Sequence, residues 1–186
     1  MNKNKSIIIF FIIPFVLVII DQLTKLHFRQ LNYFESIEVI GSYLTFVHVE
    51  NPGMAFGITF GPFKILLSLF SILASVALFY TLTKLKEYHF SFKLGISLIA
   101  AGATGNLIDR VFYGVFFDYA PLFYGKVVDF IQVDIPDINF LNIRFTHFPV
   151  FNVADSCVTV GVIVLLLFYT HIPQLEDIFK KNNTIK

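Results

Sequence analysis

The sequence predicts an α-helical integral membrane protein of four transmembrane helices with a small β-structure outside the bilayer. Three observations lead there. First, 56% of the 186 residues are apolar and 15% charged, and the mean hydropathy is +0.73. A soluble domain averages about 45–50% apolar, so these charged residues are too few to cover a water-exposed surface, and part of the solvent is lipid. Second, four apolar runs approach the roughly 20 residues that a spanning helix needs. Third, lysines gather on one side of a four-span arrangement. The length suits a single domain, residues 1–186, and no repeat, linker or low-complexity segment divides it.

The first run covers residues 6–28. Its strictly apolar part, 7–20, follows Lys3 and Lys5 in the manner of a signal peptide. Asp21-Gln22-Leu23-Thr24-Lys25 comes next, without a small-x-small cleavage site, so the run is expected to persist as a helix. Ile37-Glu38-Val39-Ile40 and Tyr43-Leu44-Thr45-Phe46-Val47-His48-Val49 alternate in polarity and read as one or two strands. The second run is about 63–83. The third, about 94–111, is interrupted by Gly102, Gly105, Asn106 and Asp109. An aromatic-rich stretch, 112–149, carries Pro121, Pro136 and Pro149 and leads to the fourth run, about 150–171.

Charge orients these spans. Lys3 and Lys5 precede the first, Lys84, Lys86 and Lys93 separate the second from the third, and Lys180, Lys181 and Lys186 follow the fourth. All eight lie on one side, joined by only Glu87, Glu176 and Asp177 of the 13 acidic residues. The positive-inside rule makes that side cytoplasmic. Both termini are then inside, and the two long polar segments face out. The net charge of +1 argues against a nucleic-acid surface. A lone Cys157 excludes an internal disulfide, and with no basic group beside it this cysteine reads as a packing residue. The five histidines are scattered, and no Cys/His cluster has metal-ligand spacing. No cofactor is expected.

Charged groups sit at the outer ends of the spans: Asp21 and Lys25 on the first, Asp109 and Arg110 on the third, Asp155 on the fourth. Ionisable groups near a membrane suggest a site, although snorkelling or a helix-ending ion pair would also place them there. Helical spacing aligns Gly102, Asn106 and Asp109 on one face, where the glycines also permit close helix packing. Asn152 and Asp155 are one turn apart, although Asn152 equally suits a helix N-cap. Outside the spans, Glu50-Asn51-Pro52-Gly53 is turn-forming, and Asp129 interrupts an apolar run as a catalytic group or as a solvated residue on a half-buried strand. These polar faces share one depth, which points to a common polar pocket. Three classes compete for it: an enzyme, an ion or proton pathway, and a helix-assembly protein. Four spans without inverted repeats are few for a transporter, and acidic groups on several elements exceed what assembly requires.

Five blocks then match a known family in its order: Asp21-Gln22-Leu23-Thr24-Lys25, Asn51-Pro52-Gly53-Met54-Ala55-Phe56-Gly57, Gly105-Asn106-Leu107-Ile108-Asp109-Arg110, Val127-Val128-Asp129-Phe130 and Phe151-Asn152-Val153-Ala154-Asp155-Ser156. Through them the chain resembles bacterial lipoprotein signal peptidase, signal peptidase II, over nearly its whole length. The resemblance implies four transmembrane helices in the bacterial cytoplasmic membrane, cytoplasmic termini, and an outer β-cradle holding the substrate near the outer face. It implies an intramembrane-type aspartic endopeptidase whose substrate is a prolipoprotein with a diacylglyceryl-modified cysteine, cut just before that cysteine. Its partners are then that substrate and membrane lipid, and a monomer is expected. Asp129 and Asp155 map onto the catalytic pair. Asp21, Asn51, Gly53, Asn106, Asp109, Arg110 and Asn152 map onto the substrate-binding lining. At one place the chain departs from the family: the two aspartates are further apart in sequence, and the surplus, about 133–148, reads as an inserted outer loop.

Two adjacent carboxylates share a proton because both cannot ionise comfortably. One then takes a proton from water as base, and the other supports the carbonyl oxygen and later protonates the leaving amine. Asp155 opens a helix, whose dipole favours the charged form, so Asp155 is the expected base, although the proton belongs to the pair.

Overall fold

The computed structural model describes residues 3–32, 35–55, 58–59, 64–140 and 143–179. Phe56 and Gly57 of the second block, and the terminal lysines from Lys180 onward, lie outside the described residues. Helices α1 (Lys3–Phe28), α2 (Lys64–Lys84), α3 (Phe90–Ile108) and α5 (Val153–Leu167) form the bundle. Three helical stretches are each long and apolar enough to cross a membrane: Ile7–Phe28, Lys64–Lys84 and Phe90–Phe116. A fourth crossing is reached when Val153–Leu167 is taken with its bent continuation, Tyr169–Phe179. Its 15 residues rise only about 22 Å. The side chains that a soluble protein would hide are here turned outward: Phe15, Phe70, Leu73, Leu166 and Leu167 are all about 70% exposed, as lipid-facing positions are.

Without water to drive them together, helices in lipid associate through close packing and hydrogen bonds. α3 is the hub and does both. A Cβ on Gly102 would fall 2.2 Å from the Ala154 carbonyl oxygen of α5, and one on Gly105 would fall 2.6 Å from Asp21 Oδ2 of α1. Pro14 within α1 lacks an N–H and frees the carbonyl four residues earlier. Ser97 Oγ of α3 donates to that Phe10 carbonyl at 2.8 Å, repairing the ladder where no water would. At the end of the bundle away from the sheet, Phe10, Leu82, Leu85, Phe92 and Ala100 close an apolar cluster with Ile178 of the short helix α6 (Leu175–Phe179).

The third helix does not stop at Val111 as its polar end suggests. It widens into a π-turn over Asp109–Tyr113 and ends in α4 (Gly114–Phe116). The cause lies in the returning chain: Gly125 N–H donates to the Arg110 carbonyl at 2.9 Å and Phe123 N–H to the Val111 carbonyl at 3.1 Å. π-turns are frequent at functional sites, and this one aims Asp109 and Arg110.

The two long connections meet in one antiparallel sheet of order β1-β2-β5-β6. Its strands are β1 (Ser36–Ile40), β2 (Leu44–Asn51), β5 (Val127–Phe140) and β6 (Ile143–His147). A separate pair joins β3 (Met54–Ala55) to β4 (Ile58–Thr59). The register opposes Val49 to Asp129 and Glu50 to Val128, with an irregularity between Phe46 and Val49, the kind of bulge that re-aims a side chain. The expected inserted loop at about 133–148 is instead a hairpin: Asp134 pairs with His147, Ile138 with Phe145 and Phe140 with Ile143. Pro136 falls in the register irregularity between Asp134 and Ile138, where a strand tolerates a residue without an N–H.

Candidate active site

Asp129 comes from β5 and Asp155 from the first turn of α5, and Asn152 joins them. As N-cap of α5, Asn152 accepts the Asp155 N–H on Oδ1 at 2.9 Å. Its own N–H donates to Asp155 Oδ2 at 3.2 Å, completing a capping box. The side-chain amide of the same residue donates to Asp129 Oδ1 at 2.7 Å. The cap that starts the helix therefore also fixes both aspartates. Asn106 supplies a second brace, donating from Nδ2 to Asp155 Oδ1 at 2.8 Å. On the other side, Asn51 Nδ2 lies 3.3 Å from Asp129 Oδ2. Asn51 is itself turned by an Asx-type bond, Gly53 N–H to Asn51 Oδ1 at 2.9 Å. Gly53 has φ +94, the left-handed region that favours glycine.

Behind this shell lies a buried charge cluster. Lys25 Nζ contacts Asp21 Oδ2 and Asp109 Oδ2, each at 2.9 Å, and donates to Asn106 Oδ1 at 2.9 Å. Gln22 Nε2 reaches Asp109 Oδ1 at 2.9 Å and Asp21 Oδ2 and the Gly105 carbonyl at 3.1 Å. Tyr113 OH donates to Gln22 Oε1 at 3.1 Å. The cluster reaches the elements that carry the two aspartates directly: Asp21 Oδ1 accepts the Ala154 N–H of α5 at 2.9 Å, and Asp109 Oδ2 accepts the Val128 N–H of β5 at 3.2 Å. Charged groups this deep persist only when paired and hydrogen-bonded, and here α1, α3, α5 and β5 are cross-braced by those bonds.

All nine residues singled out from the sequence converge at this end of the bundle, at different depths. Asp21, Asp109 and Asn152 are at most 1% exposed and touch other protein groups. They stand behind Asp129 and Asp155, not on an open wall. Asp155 opens on a groove of about 350 Å³ lined by Phe148, Phe151, Ser156, Thr159 and Val160. Asp129 opens on a depression of about 240 Å³ lined by Glu50, Asn51, Pro52, Pro149 and Val150. Arg110 donates to Ser71 Oγ at 3.1 Å, has a buried Nε without a partner among the described residues, and feels the charges of Asp109, Asp155 and Asp129. Lys25 and Gln22, which the sequence reading leaves outside the candidate set, sit at the centre of the cluster. The signal available for them was spacing: Lys25 follows Asp21 by one helical turn on an otherwise apolar helix.

Burial, and then the neighbouring Asp155 charge, push the Asp129 carboxyl up to about 7, while the bond from Asn51 acts in the opposite direction. A carboxylic acid that keeps its proton near neutrality beside a second carboxylate is the arrangement that acid–base chemistry by a shared-proton pair requires.

Comparison with known proteins agrees with this geometry. Residues 13–171 match the family described as signal peptidase (SPase) II. The lipoprotein signal peptidase of Porphyromonas gingivalis is 36% identical over 181 residues, covering 83% of this chain and 79% of that protein. The lipoprotein signal peptidase of Chlorobium phaeobacteroides is 32% identical over 175 residues, covering 94% and 97%. A bacterial membrane enzyme solved by the in meso method at 2.3 Å superposes with a TM-score of 0.67 at 32% identity, over 95% of this chain and 94% of that one.

Proposed function

This chain belongs to the signal peptidase II family, and we propose that Asp129 and Asp155 carry its reaction as a shared-proton pair. The protein is a membrane-embedded aspartic peptidase that removes signal peptides from diacylglyceryl-modified prolipoproteins, cutting before the lipidated cysteine. The observation that carries the dyad assignment is the double engagement of Asn152, whose backbone N–H holds Asp155 while its side chain holds Asp129.

In the resulting mechanism the proton of the pair rests on Asp129. Asp155, held by N–H donors on both oxygens, takes a proton from the attacking water. Asp129 donates to the carbonyl oxygen as the tetrahedral intermediate forms. The proton acquired by Asp155 passes to the leaving amine as the peptide bond breaks, and Asp129 recovers its own. Arg110 and Asn51 flank the substrate backbone. Asp21, Asn106, Asp109 and Asn152 hold the two aspartates in place, and Gly53 lets the Asn51 turn close. The apolar walls beside Asp155, Phe148, Phe151 and Val160, suit the lipid-proximal part of the substrate. Residues 1–186 act as one unit, as a monomer, in the bacterial cytoplasmic membrane, with both termini inside and the dyad near the outer face.

The test uses purified protein in detergent with one prolipoprotein prepared with and without diacylglycerol on its cysteine, followed by gel shift. Cleavage of the lipidated form alone is expected. Equal cleavage of both forms would remove the lipid from substrate recognition, and cleavage of neither would defeat the reading.

A further inference from the structure

The hydrogen bonds around Lys25 have a direction, and that direction ends on Asp155. Lys25 is fully buried on α1, and its ammonium donates three hydrogens and accepts none. Asp21 Oδ2 and Asp109 Oδ2, each at 2.9 Å, take two of them. The third goes to Asn106 Oδ1, also at 2.9 Å. An amide side chain can turn either end to a neighbour, but only its oxygen suits an ammonium. Lys25 therefore fixes Asn106 with Nδ2 on the far side, where it donates to Asp155 Oδ1 at 2.8 Å. Asn106 Oδ1 also accepts from Asn152 Nδ2 at 3.1 Å, and the same Nδ2 donates to Asp129 Oδ1 at 2.7 Å. One cation on α1 thus aligns an amide on α3, and the carboxylates of α5 and β5 both meet N–H groups.

Bracing the helices does not need the third bond of Lys25. Two aspartates already pair the lysine, and Asn152 already occupies one lone pair of Asn106 Oδ1. What the third bond adds is a penalty for turning the amide over. Nδ2 would then face the ammonium, donor to donor, and Oδ1 would face the Asp155 carboxylate, acceptor to acceptor. Without Lys25 that penalty disappears, and Asp21 and Asp109 are left as acceptors that draw the Asn106 amide away from Asp155. We infer that Lys25 is a positioning residue of the reaction: through the Asn106 amide it sets the N–H that holds Asp155 at the attacking water. This rests on the dyad reading above and adds to it a residue that acts on the pair through another side chain.

The test is a double-mutant cycle on turnover of the diacylglyceryl-modified prolipoprotein, with the full chain in detergent and the folding of each variant verified by melting. Lys25→Met and Asn106→Ala each lower kcat on the order of 10–100-fold, the range that follows loss of an outer hydrogen-bond partner of a reacting group, and leave KM unchanged. The double variant loses no more than the larger single loss, because both changes remove the same N–H from Asp155. A merely structural lysine gives losses that multiply, and that result overturns the proposal. So does an unchanged kcat in Lys25→Met, with or without a raised KM. If Lys25→Met does not fold, Lys25→Gln takes its place in the cycle: it keeps N–H groups for the two aspartates but lets an amide oxygen face Asn106. Failure of both to fold would confine Lys25 to structure and overturn the proposal as well. The dyad fails separately: near-wild-type turnover by Asp155→Asn removes it, whereas multiplying losses in the cycle with Asp155→Asn inactive remove only the role of Lys25.

Discussion

Asp129 is held mainly by burial in a state that keeps its proton to about pH 7, and that fixes how activity should respond to pH. A general acid must be protonated to act, so kcat/KM falls on the alkaline side with an apparent pKa near 7. Asn51 favours the charged form of Asp129. Asn51→Ala should therefore move the alkaline limb to higher pH, and a limb that stays put or moves down would remove Asn51 from the site. Stability follows the same sign. A carboxyl raised above its unfolded value of 3.8 binds more protons in the native state. Its contribution is complete below that value and is lost as pH rises towards 7. Melting curves in detergent from pH 4 to pH 7 should then fall further for the wild type than for Asp129→Asn.

Among the secondary-structure elements, α1, α3 and α5 are joined by Lys25 and by glycine contacts. Lys25→Met would strand Asp21 and Asp109 without their shared cation. Removing one partner of a buried ion pair costs about 3–5 kcal/mol, to be read as a lower midpoint in SDS unfolding. An unchanged midpoint would mean that the cluster is not held by charge. Gly102→Ala should destabilise by about 1–3 kcal/mol through overpacking, because the obstacle, the Ala154 carbonyl, is backbone and cannot turn away. The sequence announces much of this layer. The apolar runs locate α1 and α2 to within a few residues, and polarity alternation locates β1 and β2. It misses the continuation of the third helix past Val111, since the Arg110 and Val111 carbonyls of the π-turn are satisfied by the N–H groups of Gly125 and Phe123, more than ten residues away. It misreads the β5–β6 hairpin as a loop because that reading rests on surplus length against the family pattern, and length alone does not distinguish a hairpin from a loop. The proposed aspartate pair is legible from motif order. The role of Asn152 is not, because an N-cap and a brace for Asp129 need the same residue, and only the fold puts β5 beside the first turn of α5.

For the whole molecule, the orientation proposed from the lysine distribution, with both termini inside, is checked by impermeant labelling of single cysteines in intact cells. Cysteines replacing Ser36 on β1 and Asp137 on β5 should react, and one replacing Glu87 between α2 and α3 should not; strong labelling at 87 would invert the topology. The central claim is that two aspartates from different elements work as one unit. Its most direct measurement is single-turnover cleavage of a diacylglyceryl-modified prolipoprotein by wild type, Asp129→Asn, Asp155→Asn and the double variant, with folding verified by melting. The amide keeps the carboxylate's shape but cannot share a proton. Each single variant should lose at least about a thousandfold, and the double variant hardly more, because members of one catalytic unit are strongly non-additive. Near-wild-type cleavage by folded Asp155→Asn, or losses that simply multiply in the double variant, would contradict the account.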